Sequence, residues 1–133
     1  MFADVFVILY VAHHLSDFPL QTDHQAAHKA DPTFAGWRAN LIHAGTHIAT
    51  TAVLLLVGAL VLGLHPTVAG TAAALAWIGV SHSVIDRRSI VRWWMEHTGQ
   101  SGYLKHGGAL TVDQAAHIGL GLLPAALALA ALH

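Results

Sequence analysis

Three apolar stretches constrain this chain more than any other feature. They are residues 39–64, which contain LLLVGALVLGL, residues 66–85, which contain AGTAAALAWIGV, and residues 112–132, which end in LLPAALALAAL. Each approaches or exceeds the ~20 residues an α-helix needs to cross a hydrocarbon core. A fourth stretch, residues 2–15 (FADVFVILYVAHHL), reaches a spanning length only if its helix runs on to Phe18, just before Pro19 disrupts it. It has no basic start, carries Asp4 and lacks a small-x-small cleavage pattern, so a span is expected there rather than a cleaved leader. Composition agrees: 55% of residues are hydrophobic and 10% charged, against about 25% charged in soluble domains.

The expected fold is therefore all-α: a single membrane-embedded domain over residues 1–133, built as a bundle of four transmembrane helices. The basic residues orient it. In chain order, Lys29 and Arg38 lie between the first and second expected spans, and Arg87, Arg88, Arg92 and Lys105 lie between the third and fourth. With four spans those two loops share a side. The positive-inside rule makes them cytoplasmic and puts both termini outside, in a bacterial inner or plasma membrane. Residues 88–97 (RSIVRWWMEH) read as a short interfacial cytoplasmic helix, with Trp93 and Trp94 at headgroup level. A net charge of -1 gives no general attraction for nucleic acid. The absence of cysteine removes disulfides, thiolate metal sites and thiol nucleophiles.

Twelve histidines are the outlier. His13 and Asp17, His43 and His47, His82 and Asp86, and Asp113 and His117 are each four residues apart, one pair per expected span. On an α-helix such pairs share a face. A fifth pair, His24 and His28, falls in the first basic loop, and roughly two such pairs are expected by chance. Placement is the stronger signal: all four span pairs fall at the cytoplasmic ends of their helices, in one layer. A charged Asp in a span costs ~2.5–3.5 kcal/mol, so such groups face the bundle interior and find partners. Eight donors exceed one tetrahedral zinc and suit one or two divalent cations with bridging carboxylates. Abundant imidazole favours zinc, with iron or manganese as alternatives, over calcium or magnesium. A layer of interhelical hydrogen bonds without metal is the competing reading.

Around these ligands, Gln21, Asn40 and Gln114 are placed to orient them, and His14 is the alternative to His13. Arg87 and Arg88 suit an anionic headgroup or simple membrane anchoring. Asp23, His24 and His28 read as solvated loop, and His65, His97, His106 and His133 as surface. Small residues beside the ligands (Ala44, Gly45, Gly79, Ser83, Ala116, Gly119) are expected to let helices approach closely.

The blocks HHLSDFPLQTD at residues 13–23, HAGTH at 43–47, HSVID at 82–86 and VDQAAH at 112–117 resemble the domain-of-unknown-function 3307 family of small bacterial and phage membrane proteins. The resemblance covers nearly the whole chain and implies that these positions form a shared polar core; it supplies no activity. Pro19 stands where an aliphatic residue is expected, which shifts the expected end of the first helix. A fainter likeness, in motif style, is to small membrane-bound metal-dependent hydrolases.

The leading functional expectation is a metal-dependent membrane hydrolase acting on a lipid or phosphorylated substrate. Asp17, Asp86 or Asp113 would serve as general base where not committed to metal. The alternatives are a di-iron redox or oxygen-activating enzyme, a metal transporter or sensor, and a non-catalytic packing protein.

Overall fold

In the computed structural model, which describes residues 1–132, every regular element is a helix and no strand occurs among the described residues. The helices start where polar caps satisfy the first free N–H groups. Thr33 Oγ1 accepts from Gly36 N at 3.0 Å to open α3 (Phe34–Leu62), and Thr67 Oγ1 accepts from Gly70 N at 3.1 Å to open α4 (Val68–Ile85). Gly63, at φ 64°, ends α3 in the left-handed conformation that glycine adopts without steric cost. Thr67 also donates from Oγ1 to Leu132 O at 2.7 Å, tying the start of α4 to the last described residue.

The first apolar stretch forms α1 (Phe2–Asp17), capped by Phe18. Phe18 still donates its backbone N–H to His14 O at 3.1 Å, but Pro19 has no N–H with which to carry the ladder of α1 further. Its 16 residues rise ~24 Å, less than the ~30 Å hydrocarbon core. Three other helical runs are long and apolar enough to cross a membrane: α3 with 29 residues, α4 with 18, and the rod Ala109–Ala131 with 23. They point to a membrane protein. Both outer runs start before their apolar stretches, α3 at Phe34 and the rod at Ala109.

Residues expected to be loop form a short helix, α2 (Asp23–His28), under a capping box in which Thr22 and Gln25 satisfy each other's backbone N–H groups. After α4, Arg88 takes a left-handed turn (φ 61°) and leads into α5 (Ser89–His97), followed by α6 (Ser101–Lys105). The rod consists of α7 (Ala109–Ala116), a π-helical stretch (His117–Leu122) and α8 (Leu123–Ala131). The π stretch has a local cause. Pro124 has no N–H to return to the Leu120 carbonyl, and the Trp77 indole of α4 donates to that oxygen at 3.0 Å instead.

The helices pack in a ring: α1 against α3, α3 against α4, α4 against α8, and α8 back against α1. At one end the ring encloses an apolar core that includes Val5, Leu9, Leu55, Ile78, Leu122 and Leu129. Gly58 and Gly79 permit close approach, since a Cβ at either would lie 2.6 Å from Ile8 Cδ1 or Ile48 Cδ1 respectively. Gly45 and Gly119 have nothing within 4 Å of the Cβ position, so they do not mark helix contacts as the sequence suggested. The outside of the same end is greasy: Leu60 is 78% exposed and Val61 73%, the surface expected of a lipid-facing helix. At the opposite end a smaller cluster of Ile85, Val91 and Met95 lies beneath α5.

Candidate metal centre

Between the two apolar clusters lies a layer of ionisable side chains. On α1 the buried residues Val5, Leu9, Ala12, His13, Ser16 and Asp17 form one helical stripe, and its phase turns His13 and Asp17 inward. The corresponding stripe on α3 carries Asn40, His43, His47 and Thr51. On α4, Gly79 and His82 share the inward face, and Asp86 caps the helix end. Asp113 belongs to α7, and His117 opens the π stretch.

The side chains converge on two carboxylates. Asp17 Oδ1 lies 3.1 Å from both His43 Nε2 and His47 Nε2 and 3.6 Å from His82 Nε2, while Oδ2 lies 3.2 Å from His13 Nε2. Asp86 Oδ2 lies 3.1 Å from His82 Nε2 and 3.5 Å from His43 Nε2, and Oδ1 lies 3.8 Å from His117 Nε2. His117 Nδ1 is 3.4 Å from Asp113 Oδ2. Three overlapping sets of donors result: His13, Asp17, His47 and His82; His43, His82 and Asp86; and Asp86, Asp113 and His117. Within each set the donor atoms lie within 4.8 Å of one another.

This spacing suits a cation. Donors about 2.0–2.1 Å from a metal stand about 2.8–3.4 Å apart along octahedral or tetrahedral edges. His82 Nε2 and Asp86 Oδ2 are buried without a hydrogen-bond partner although they lie 3.1 Å apart, and so is His117 Nε2, 3.8 Å from Asp86 Oδ1. Charge points the same way. Three carboxylates (Asp17, Asp86, Asp113) face one ammonium, that of Lys29, so with neutral imidazoles two negative charges remain uncompensated in the layer. The C-terminal ends of α1 and α4, at Asp17 and Asp86, add the partial negative charge of their terminal carbonyls.

Lys29 is the residue that sequence reasoning missed. It is buried, with Nζ 2.8 Å from Asp86 Oδ1. Burial works against the charged form of Asp86, but His82 and Lys29 outweigh it and hold the carboxyl below the usual carboxylate range. The signal available in the sequence was weak: a lone lysine in a loop reads as membrane anchoring.

The supporting residues divide. Gln114 bridges the layer, donating from Nε2 to Asp17 Oδ2 at 2.8 Å while its Oε1 lies 3.0 Å from His13 Nε2. Gln21 reaches only the Asp17 backbone carbonyl, at 2.6 Å. Asn40 is fully buried and touches no ligand: its Nδ2 donates to Ser83 O at 3.1 Å and its Oδ1 accepts from Ser83 Oγ, fastening α3 to α4. His14 faces away, with Nδ1 3.0 Å from Tyr10 O and its ring near Tyr10 and Phe18.

Arg87 is not free for a substrate headgroup. It donates to Lys29 O at 2.9 Å and Asp31 O at 2.8 Å and stacks over Trp37, clamping the loop that carries Lys29. Arg88 is exposed and reaches Ala26 O at 3.4 Å. His24, His28, His65, His97 and His106 are exposed; His28 pairs with Asp31 at 2.8 Å on the outside. His133 lies outside the described residues.

A cleft of about 490 Å³ leads from the surface to the layer. Asp17, Asp86, Asp113, Lys29 and Gln114 reach it from the site, and Phe18, Arg88, Arg92 and Leu110 line it further out. Asp113 is the least buried of the three carboxylates, at 16% side-chain exposure against 5% for Asp17 and 3% for Asp86.

No curated protein and no solved structure matches this chain. A family model does, over residues 5–129, a span that contains the four paired blocks and nearly all of the bundle. The chain belongs to the DUF3307 family, described as protein of unknown function.

Proposed function

We propose that this protein is a four-helix membrane metalloenzyme of the hydrolase class, with one or two divalent cations held by His13, Asp17, His43, His47, His82, Asp86, Asp113 and His117. The observation that carries the reading is the charge of the buried layer: three carboxylates, one ammonium and five imidazoles whose Nε2 atoms crowd the same two carboxylates at 3.1–3.8 Å. One divalent cation would balance that charge. Zinc suits the imidazole-rich set best, with iron or manganese as alternatives.

In the proposed orientation α1, α3, α4 and the rod cross a bacterial inner membrane, α1 as a short fourth span that local thinning accommodates. The basic loops are cytoplasmic, both termini lie outside, and α5 lies in the interface. The layer then sits close to the inner leaflet. A transporter is disfavoured because the apolar core continues from the layer through Leu9, Leu55 and Leu129 with no polar path among its residues.

When bound, the metal would lower the pKa of a coordinated water and polarise a phosphoryl or acyl group. The chain's own residues divide the remaining work. Asp17 and Asp86 gather all five imidazoles in one arrangement, and Lys29 fixes Asp86 from the loop side. Asp113, open to the cleft, would take a proton from an attacking water where its carboxylate is not committed to metal.

Elemental analysis of the detergent-purified protein beside His47→Ala and Asp86→Ala tests the metal. About one or two equivalents in the parent and loss in both variants is the expected result. A parent without stoichiometric metal would leave the layer as interhelical hydrogen bonding and remove the hydrolase reading. Release of product from phosphoester or ester lipids, abolished in the same variants, tests the reaction class.

A further inference from the structure

The cleft has a feature that the metal layer does not use. Along α5, Val91, Arg92 and Met95 follow a spacing that puts them on neighbouring positions of one face, and Arg88, the residue that caps the helix, precedes Arg92 by four. Arg88, Val91 and Arg92 line the cleft, and Met95 is buried behind them. The Arg92 guanidinium makes no hydrogen bond or ion pair among the described residues, and Arg88 makes only the 3.4 Å contact with Ala26 O. Two guanidinium groups one turn apart thus border a cleft whose floor holds the site.

Phe18 and Leu110, 57% and 64% exposed, supply apolar surface to the same cleft. Other faces of α5 present Ile90, Trp93 and Trp94, each at least half exposed. Indoles favour the headgroup region of a bilayer, so the mouth of the cleft opens where lipid headgroups lie.

From this juxtaposition of Arg88, Arg92 and an apolar rim with the carboxylate-lined floor, we propose that the cleft binds the phosphate headgroup of an anionic lipid. Arg88 and Arg92 grip the phosphate, and the acyl chains leave over Phe18 and Leu110. This deepens the hydrolase reading and rests on it in one respect: bound cations would join Lys29 in offsetting the floor carboxylates, whose repulsion otherwise weakens the binding of an anion. Guanidinium is the side chain best matched to phosphate, through paired N–H donors. A soluble phosphate ester would gain nothing from the apolar rim.

Native mass spectrometry of the full chain, titrated with phosphatidic acid, phosphatidylcholine and glycerol 3-phosphate, tests the proposal. Phosphatidic acid should bind at least about tenfold more tightly than either of the others, with about tenfold lost in each of Arg88→Gln and Arg92→Gln. Metal content should stay at the parent level, and Arg38→Gln, which does not line the cleft, should change neither readout.

Equal binding of phosphatidic acid and phosphatidylcholine would overturn the proposal, as would glycerol 3-phosphate binding as tightly as the lipid. Arginine-dependent lipid binding by a protein that holds no metal would leave the headgroup site standing and remove the metalloenzyme reading; full metal content without lipid preference would do the reverse. Where a variant loses helix content, tryptophan quenching of the unaltered protein in nanodiscs serves instead. Brominated phosphatidic acid should quench more strongly than brominated phosphatidylcholine, and equal quenching would count against the site.

Discussion

At the apolar end the helices meet through Val5, Leu9, Leu55, Leu122 and Leu129; a few turns away the same helices meet through five imidazoles and three carboxylates. Apart from Asp113 both regions are buried, but they are held by different physics. Lipid tails are as apolar as leucine, so helices in the membrane gain little from hiding leucine from their surroundings and rely on close fit. Gly58 under Ile8 and Gly79 under Ile48 are such fits. In the polar layer, fit is secondary to charge, because a buried carboxylate that loses its partners is far costlier than a small void. A substitution at the apolar end should therefore cost stability alone, whereas one in the layer should cost stability and metal together.

The largest effect is expected for Asp17→Ala. Four imidazoles and Gln114 lose the group around which they are arranged, at a cost of about 3–5 kcal/mol. Thermal unfolding in detergent should show the loss, and elemental analysis should show the metal gone; retained metal would dissolve the contrast between the regions. Next comes Leu129→Ala, at a fully buried position of the apolar core. A loss of about 2–4 kcal/mol is expected, with metal content unchanged, and loss of metal here would mean that the two regions are one cooperative unit. The smallest effect is expected at their junction. Trp77→Phe removes the indole N–H that serves Leu120 O, costing about 1 kcal/mol. Lowered metal affinity in this variant would show that the π stretch sets the position of His117.

The sequence carried one region more legibly than the other. Apolar length announced α3, α4 and the rod, and the four-residue spacing of His and Asp announced a common level, because both signals are local and periodic. Choosing between His13 and His14 needed the phase of α1, which Val5, Leu9 and Ser16 set. Their weak contrast with Val7 and Val11 in an apolar helix hides that phase from inspection. Lys29 and Arg87 were out of reach for a different reason. Their partners, Asp86 Oδ1 and the carbonyls of Lys29 and Asp31, are distant in sequence and are brought near only by the fold of the basic loops. Arg87 thus serves the protein rather than a substrate, and Arg92, which the sequence places on a basic interfacial helix, is left facing the cleft.

The widened turn at His117–Leu122 has one more consequence. On a regular α-helix a row spaced by four residues creeps around the axis by about 40° per step. Asp113, His117, Gly121, Ala125 and Leu129 would therefore spiral out of alignment across the rod. A coil with more residues per turn cancels part of that creep, and His117, Gly121, Ala125 and Leu129 all stay buried. One rod can thus hold an imidazole against the charged layer and leucine against the apolar core.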